Sequence, residues 1–189
     1  LNQLGENEVK SILSSFVCNE NFDVQDFIQN KAIEFSRQGL AKTTLVYWKS
    51  DDNKEKYLVG YYAIAPKFIR VSREAVSKTM AKKLNNHGSY DDGTREYIVP
   101  APLIAQLSKN YAEGNDTLIY GCELLQMAVD KIKEIQNEIG GRFIFLECEE
   151  KEKLIDFYKS NGFTAFEKRK KGKNETGTEY LIRWLRYLK

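Results

Sequence analysis

Apolar residues spaced three and four positions apart predict the helices of this chain. The longest pattern covers residues 121–139, where leucine, valine and isoleucine share one face and Gly140 and Gly141 follow at the expected end. Gly121 opens this predicted helix. Shorter patterns of the same kind predict helices over residues 6–17, 23–39 and 72–84, and around Leu154, Ile155 and Tyr158.

Runs of β-branched and aromatic residues predict the strands. They cover residues 43–48, 57–64, 97–107, 142–148, 163–169 and 179–185. The first two flank a polar turn and predict a hairpin. Because proline lacks the N–H that a central strand needs, Pro100 and Pro102 predict a central strand only after Pro102, with an edge or bulged strand before it. Residues 85–93 are predicted to form a polar loop.

The predicted order of these elements is ααββαβαβαββ. The early hairpin is antiparallel, whereas the helical crossovers after residue 107 bring parallel strands together. A chain of 189 residues can bury one substantial core, and no linker rich in proline, glycine or serine divides it. We therefore predict a single α/β domain over residues 1–189, with a mixed, mostly antiparallel sheet flanked by helices.

Charge and composition narrow the class of protein. Lysine and arginine number 29 against 27 aspartates and glutamates, so no net field favours nucleic acid or an anionic membrane. The basic residues 168–173 are a local exception. No apolar run approaches the ~20 residues that cross a bilayer, and the N-terminus lacks a secretory pattern. We therefore expect a cytoplasmic protein without a membrane partner.

The three cysteines and the single histidine form no metal-binding pattern. Cys18, Cys122 and Cys148 are odd in number and lack ligand spacing, and His87 has no cysteine near it in the sequence. We therefore expect neither zinc nor structural disulfides. We expect Cys122 to be a small buried hydrophobic residue, with a thiol acidified by the helix start as the alternative.

The loop that leads to Gly121 is a candidate anion site. A helix N-terminus carries unpaired N–H groups and the positive end of the helix dipole, and a diphosphate would suit both. The alternative is a helix start that binds no ligand. Because Gly121 follows an apolar strand in the sequence, we favour the phosphate interpretation.

Four segments of the chain resemble one known family. They are FSRQGLAKT at residues 35–43, VGYYAIAP at 59–66, VPAPLIAQL at 99–107 and DFYKSNGF at 156–163. Their order is similar to that of the GNAT (Gcn5-related N-acetyltransferase) superfamily, and the first three look like its toxin branch that acetylates aminoacyl-tRNA. The resemblance implies acetyl-CoA as co-substrate and a GNAT-like sheet with a splayed central pair of parallel strands.

The same resemblance implies where acetyl-CoA is held. In the family, the strand that matches residues 103–109 splays to admit pantetheine, and the loop and helix after it cradle the diphosphate. The cofactor-binding residues implied in this sequence are Leu107, Ser108, Lys109, Ile119, Tyr120, Gly121 and Cys122. Residues 113–121 depart from the family loop because they are more numerous, contain less glycine and include the acidic Asp116. Lys151 stands where the family often has asparagine.

Tyr158 is the candidate catalytic residue. Acyl transfer from a thioester needs a proton for the departing thiolate, and the resemblance gives this role to Tyr158. An ordinary tyrosine has a pKa near 10 and a thiol about 8.5, so the phenol is protonated at neutral pH and can reprotonate the thiolate. The alternative is a core tyrosine whose hydroxyl is satisfied. Backbone N–H groups near residues 107–109 would stabilise the oxyanion.

The sequence contains no convincing general base. Glu147 is the best carboxylate candidate, with a strand-end ion pair as the alternative, and His87 is expected to be an exposed loop residue without a role. An α-amine with a pKa of ~7.7 to 8.0 is neutral in roughly a tenth of molecules at pH 7, far more often than a lysine side chain. A site without a strong base should therefore prefer α-amines.

Two functions remain open at this point. The preferred one is an acetyl-CoA-dependent N-acetyltransferase in which a primary amine attacks the thioester directly. The alternative is a non-catalytic module that binds acyl-CoA or a macromolecule. The acceptor is unknown, with tRNA as one candidate partner and a second copy of the chain as another. Basic residues that could contact RNA phosphates, or form a solvated surface, are Arg37, Lys42, Lys67, Arg70, Lys78, Lys82, Lys83 and residues 168–173.

Overall fold

The computed structural model describes residues 6–52, 54–172 and 179–188, so Lys173 of the basic segment lies outside the described residues. The chain divides into two compact units. Unit 1 comprises Leu1–Ala65 and Ala105–Val129, and unit 2 comprises Pro66–Ile104 and Asp130–Lys189. The single domain over the whole chain stays a prediction.

Helices occupy much of the described chain. The α-helices are α1 (Glu6–Ser14), α2 (Phe22–Asp26), α3 (Ala32–Arg37), α4 (Lys78–His87), α5 (Gly121–Ile139) and α6 (Glu152–Ser160). A π-helical turn at Phe27–Lys31 joins α2 to α3, and 3₁₀ turns cover Arg73–Ala75 and Ala112–Leu118. Gly121 therefore opens a long helix, as predicted.

The strands form two sheets. They are β1 (Lys42–Lys49), β2 (Lys56–Ala65), β3 (Phe68–Ser72), β4 (Ser89–Asp91), β5 (Glu96–Pro100), β6 (Leu103–Lys109), β7 (Phe143–Glu149), β8 (Thr164–Lys170) and β9 (Tyr180–Tyr187). The six-stranded sheet has the order β1-β2-β6-β7-β9-β8, and the three-stranded sheet has the order β3-β5-β4.

The pairing directions confirm the predicted fold class. Strands β6 and β7 are parallel, whereas β1–β2, β7–β9 and β8–β9 are antiparallel. The parallel register places Leu103 opposite Phe145 and Ile104 opposite Leu146, at the start of β6. The sheet is therefore mixed and mostly antiparallel, with one parallel pair.

Unit 1 packs its N-terminal helices on the first hairpin. The Asn21 side chain accepts hydrogen bonds from the Asp23 and Val24 amides, so α2 begins one residue earlier than predicted. Gly39, with φ of 70°, follows the end of α3 as a helix-terminating glycine should. The buried cluster of this unit comprises Val9, Leu13, Phe16, Cys18, Phe27, Ile28, Ala32, Leu58, Tyr61 and Ala63.

Unit 2 has a second buried cluster, to which α4, the three-stranded sheet and strands β7 to β9 contribute. Its members are mostly β-branched or aromatic, as expected for residues between packed strands. They are Ile69, Val71, Ala81, Leu84, Tyr97, Val99, Ala101, Phe143, Phe145, Phe166 and Leu185.

Three predictions for residues 66–100 are wrong. The helix predicted over residues 72–84 begins only at Lys78, because Ser77 caps it through the Met80 amide, and it continues to His87. The predicted polar loop contains the end of α4 and strand β4, and Gly88 between them leaves room for the Ile98 carbonyl. Strand β5 lies between β3 and β4 instead of at an edge. Its Pro100 is tolerated because the β4 register ends at Ile98.

Several further properties bear on function. No helix among the described residues is long and apolar enough to span a membrane. Within the same ranges, no group of three or more histidine, cysteine, aspartate or glutamate side chains could hold a metal ion. Cys18, Cys122 and Cys148 are free thiols. The cytoplasmic location stays a prediction.

Candidate active site

Asn110 fixes the end of β6 beside β2 in unit 1. Its side chain is 2% exposed, and its Nδ2 donates to the Leu58 carbonyl at 2.8 Å. Its Oδ1 accepts from the Val17 and Ala112 amides, and its own amide donates to the Val59 carbonyl. A fully paired asparagine of this kind holds three chain segments together. No sequence pattern marked this residue.

Gly60 allows the backbones of β2 and β6 to approach each other. A Cβ added at Gly60 would lie 2.9 Å from the Ser108 carbonyl oxygen and 3.0 Å from a Leu124 methyl group. Strand β6 and the first turn of α5 therefore meet at this glycine. The two segments predicted to hold acetyl-CoA, one around Ser108 and the other around Gly121, are brought together in unit 1.

The side chains at the end of β6 form hydrogen bonds and ionic contacts with nearby residues. Leu107, Ser108 and Lys109 are half-buried. The Ser108 hydroxyl donates to the Lys109 carbonyl at 2.8 Å and lies 3.4 Å from the Cys18 sulfur. The Lys109 ammonium donates to the Asp116 carbonyl at 2.8 Å and lies 3.9 Å from its carboxylate. The negative charge of Asp116 therefore has a nearby cation, which reduces its repulsion of an anion.

The loop between β6 and α5 contains a kink. Glu113 and Gly114 have φ of 51° and 77°, which separates the two turns of the Ala112–Leu118 segment. The Thr117 hydroxyl donates to the Gly114 carbonyl at 2.8 Å and closes the second turn. A non-glycine residue in the left-handed region is uncommon, so Glu113 is held there by its surroundings.

The first turn of α5 has paired and unpaired amides. The Tyr120 carbonyl accepts from the Glu123 and Leu124 amides, and the Glu123 carboxylate accepts from the Tyr120 amide at 2.8 Å. The amides of Gly121 and Cys122 form no hydrogen bond within the described part of the chain. They are thus available to an anion.

The residues predicted to bind acetyl-CoA at the start of α5 differ in solvent exposure. Ile119 is 7% exposed and Tyr120 is 74% exposed. Cys122 is exposed, so the prediction of a small buried residue is wrong for it. It lies outside the packed stripe of α5, which Leu124, Leu125 and Ala128 begin. Backbone amides, rather than side chains, are the groups that this turn offers to a ligand.

Tyr158 lies in unit 2, on the buried face of α6, and is 9% exposed. Its ring lies 5.1 Å from Phe157, 6.0 Å from Phe163 and 6.1 Å from Trp184, measured between centroids. Burial, and secondarily the Cys148 thiol, raise its pKa well above the ordinary value. Within the described residues its hydroxyl forms no hydrogen bond. This oxygen is not one of the fully buried unpaired side-chain atoms, so both the general-acid role and the core alternative stay predictions.

Glu147 and His87 do not have the surroundings of a general base. The Glu147 carboxylate is 2.6 Å from Arg169 Nη2 and 3.2 Å from Arg183 Nε, so the ion-pair alternative is confirmed. His87 is exposed as predicted, but it ends α4 and its ring lies 5.8 Å from that of Tyr187. The Glu147 carboxylate is thus occupied by two guanidinium groups.

Comparison with known proteins shows similarity at the level of structure. No protein-family model matches the sequence, and no curated protein matches it by sequence. The solved structure of AtaT with acetyl-methionyl-tRNAfMet is 20% identical and matches with a TM-score of 0.61 over 90% of this chain and 85% of that chain. A tyrosine-to-phenylalanine variant of KacT is 16% identical and matches with a TM-score of 0.61 over the same shares.

A further solved structure is AtaTR bound with acetyl-CoA. It is 17% identical and matches with a TM-score of 0.54 over 90% of this chain and 83% of that chain. At such identities the likeness is one of fold. This chain shares the fold of AtaT and KacT, and its mixed sheet with one parallel pair is of the predicted fold class.

Proposed function

We propose that this protein is an acetyl-CoA-dependent N-acetyltransferase and that Tyr158 is its general acid. One observation carries the proposal: a tyrosine buried to 9% exposure has a raised pKa and a hydroxyl without a partner among the described residues. Its oxygen is not one of the fully buried unpaired atoms, so the phenolic proton can be reached from outside the core. The fold of acetyltransferase toxins supports this use.

The reaction needs three groups. A neutral primary amine attacks the thioester carbonyl of acetyl-CoA, the C–S bond breaks, and the departing CoA sulfur takes the phenolic proton of Tyr158. The amine nitrogen releases one proton, which replaces the proton lost by the phenol through solvent. Because its pKa is raised, Tyr158 holds its proton at neutral pH and donates it only when the thiolate forms.

Unit 1 supplies the proposed acetyl-CoA site through its backbone. The amides of Gly121 and Cys122 suit the diphosphate, and the end of β6 at Leu107, Ser108 and Lys109 suits the pantetheine and the oxyanion. The Lys109 contact to Asp116 lowers the local negative charge. Ile119, which is buried, and Tyr120, which is exposed, lie immediately before the start of the helix.

The test is to measure acetyl-CoA binding and thiol release on the same protein. Wild-type protein should bind acetyl-CoA by calorimetry and release free thiol when an α-amine acceptor is added. The Tyr158→Phe protein should bind acetyl-CoA as tightly and lose most of its thiol release. Absence of acetyl-CoA binding at millimolar ligand would refute the proposal, and so would full activity of the variant.

Aminoacyl-tRNA is the acceptor that we favour. Its α-amino group is neutral often enough to react without a strong base, and none was found among the described residues. The basic segment at 168–171 is a poor RNA surface, because carboxylates pair with Lys168 at 2.5 Å, Arg169 at 2.6 Å, Lys170 at 3.0 Å and Lys171 at 3.3 Å.

Helix α4 carries exposed lysines whose surroundings differ from those of residues 168–171. Lys78 and Lys82 are exposed and form no ion pair with a carboxylate of the described ranges. If they contact RNA phosphates, replacing both by alanine should reduce the log–log salt slope of aminoacyl-tRNA binding by about two units. The matched control replaces Lys168 and Lys170 and should leave the slope unchanged. Equal slopes for both double variants would reject α4 as the RNA surface.

A non-catalytic acyl-CoA-binding module is the second candidate. It is favoured by Glu123, whose carboxylate already occupies the Tyr120 amide at the helix start. This candidate predicts saturable binding of acetyl-CoA without release of thiol to any α-amine, aminoacyl-tRNA included. Thiol release that depends on Tyr158 would exclude it. A second copy of the chain as partner stays a prediction.

A further inference from the structure

Trp184 packs on Tyr158, and its buried indole N–H interacts with the thiol of Cys148. It lies in β9, is 3% exposed, and its ring plane is inclined by 42° to that of Tyr158. Its indole Nε1 is buried, and its neighbour is the weak acceptor Cys148 Sγ instead of an oxygen or nitrogen acceptor of the described residues. Phenylalanine would fill a core position without an N–H that has only a weak thiol acceptor. The indole therefore points to a role beyond packing.

Cys148 lies on the same face of the sheet as Trp184. Leu146 pairs with Trp184 and Cys148 pairs with Ile182 across β7 and β9, and side chains two residues apart on a strand share a face. Burial raises the pKa of the Cys148 thiol to about 11, while the indole N–H of Trp184 acts in the opposite direction. The thiol in turn helps to raise the pKa of Tyr158. The three groups form one buried cluster in unit 2.

Resting on the proposed acetyltransferase function, we propose that Trp184 and Cys148 are positioning residues for Tyr158. Trp184 lies in β9, which is paired with β7 on one side and with β8 on the other. Its indole ring packs on the ring of Tyr158 in helix α6 and therefore fixes the plane of the phenol. The Cys148 thiol belongs to the same cluster and contributes to the raised pKa of the phenol. The phenol thereby keeps its proton and a single orientation.

The experiment compares two identical substitutions. The chain has two tryptophans, and Trp48 stacks on Tyr57 in unit 1. Trp184→Phe should lower kcat for thiol release about tenfold through misplacement of the phenol, with KM for acetyl-CoA unchanged. Its thermal midpoint should fall because the smaller ring leaves a cavity, so kcat is measured at a temperature at which the variant is fully folded. Trp48→Phe should leave kcat unchanged. Cys148→Ala should also lower kcat, and Cys148→Ser should restore part of it.

The results separate a positioning role from a structural one. Wild-type kcat in Trp184→Phe would overturn the proposal, and so would a kcat loss that only follows a loss of stability. A second measurement does not depend on activity. In Trp48→Phe protein the only indole is Trp184, and saturating acetyl-CoA should change its emission.

The fluorescence emission of Trp184 also distinguishes failure of the proposed acetyltransferase function from failure of the positioning role. If wild-type protein binds acetyl-CoA but releases no thiol, the proposed function fails while the emission still tests the placement of Trp184. Unchanged Trp184 emission at saturating acetyl-CoA would overturn the positioning role whatever the activity. Protein that binds no acetyl-CoA would overturn both.

Discussion

Tyr61 in unit 1 and Tyr158 in unit 2 are buried tyrosines whose hydroxyl groups have different surroundings. Each has a pKa raised first by burial and then by a nearby thiol, that of Cys18 for Tyr61 and that of Cys148 for Tyr158. The Tyr61 hydroxyl donates to the Val24 carbonyl at 2.7 Å. The Tyr158 hydroxyl has no such partner among the described residues.

The comparison shows that burial and a raised pKa do not by themselves distinguish a structural tyrosine from a functional one. Hydrogen bonding does, because a buried polar group in a stable core is almost always paired. Tyr61 follows that rule by joining β2 to α2. The Tyr158 hydroxyl, which is not fully buried, has no such bond among the described residues, and neither do the amides of Gly121 and Cys122 at the partly exposed start of α5. Unpaired groups are thus the candidates for ligand contact in both units.

The largest expected difference between the two tyrosines is in catalysis. Tyr158→Phe should lower kcat for thiol release by about a hundredfold to a thousandfold, the usual contribution of a positioned general acid. Tyr61→Phe should keep kcat within about twofold, since its hydroxyl is occupied by a backbone carbonyl. Steady-state thiol release at saturating acetyl-CoA measures both. Equal losses in the two variants would remove hydrogen bonding as the distinguishing feature.

Asn110 has a hydrogen-bonded side chain, so its replacement should lower stability strongly, in contrast to the catalytic effect expected at Tyr158. Asn110→Ala leaves the Leu58 carbonyl and the Val17 and Ala112 amides without their partner, so unfolding free energy should fall by about 3 kcal/mol. Asn161→Ala removes one side-chain bond to the Phe157 carbonyl and should cost about 1 kcal/mol. Urea denaturation compares the two. A cost for Asn110→Ala no larger than that of the control would contradict the anchoring role.

Periodicity predicted the long elements well, because a single buried face determines them. Helix α5 shows a stripe of apolar side chains from Leu124 to Ile132, and its bounds match the predicted ones. The hairpin β1–β2 and the helix of Tyr158 were also predicted. Strand β3 was missed because it has five residues, of which only Ile69 and Val71 are fully buried. Residues 68–71 were therefore assigned to no predicted element.

The candidate site was harder to predict, because its defining properties arise from contacts distant in sequence. Tyr158 and Gly121 have local motifs, so the family resemblance could name them. Asn110 binds partners up to 93 positions away, and the contact of the Trp184 indole with Cys148 depends on strand pairing across β7 and β9. The general-base alternative for Glu147 was removed by Arg169 and Arg183, whose proximity only the fold establishes.

The start of α5 allows the contrast between paired and unpaired groups to be tested by binding. The Glu123 carboxylate occupies the Tyr120 amide and places negative charge where the proposed diphosphate lies. Glu123→Gln should tighten acetyl-CoA binding by about fivefold, equivalent to ~1 kcal/mol. Glu138→Gln, near the other end of the helix, is the control and should have no effect. Weaker binding in Glu123→Gln would mean that the carboxylate organises the site instead of competing with the ligand.

The smallest expected effect concerns stability at alkaline pH and returns to the two tyrosines. A raised folded-state pKa stabilises the native protein below the ordinary value near 10, and this contribution is lost as pH rises above it. Phenylalanine at either position should therefore flatten the fall of unfolding free energy above about pH 10. At pH 7 the variants should differ, because Tyr61→Phe loses a hydrogen bond worth about 1 kcal/mol whereas Tyr158→Phe loses none among the described residues. Urea titrations at pH 7 and above pH 10 measure both terms. A loss of stability at pH 7 in Tyr158→Phe equal to that in Tyr61→Phe would show that the Tyr158 hydroxyl is paired after all.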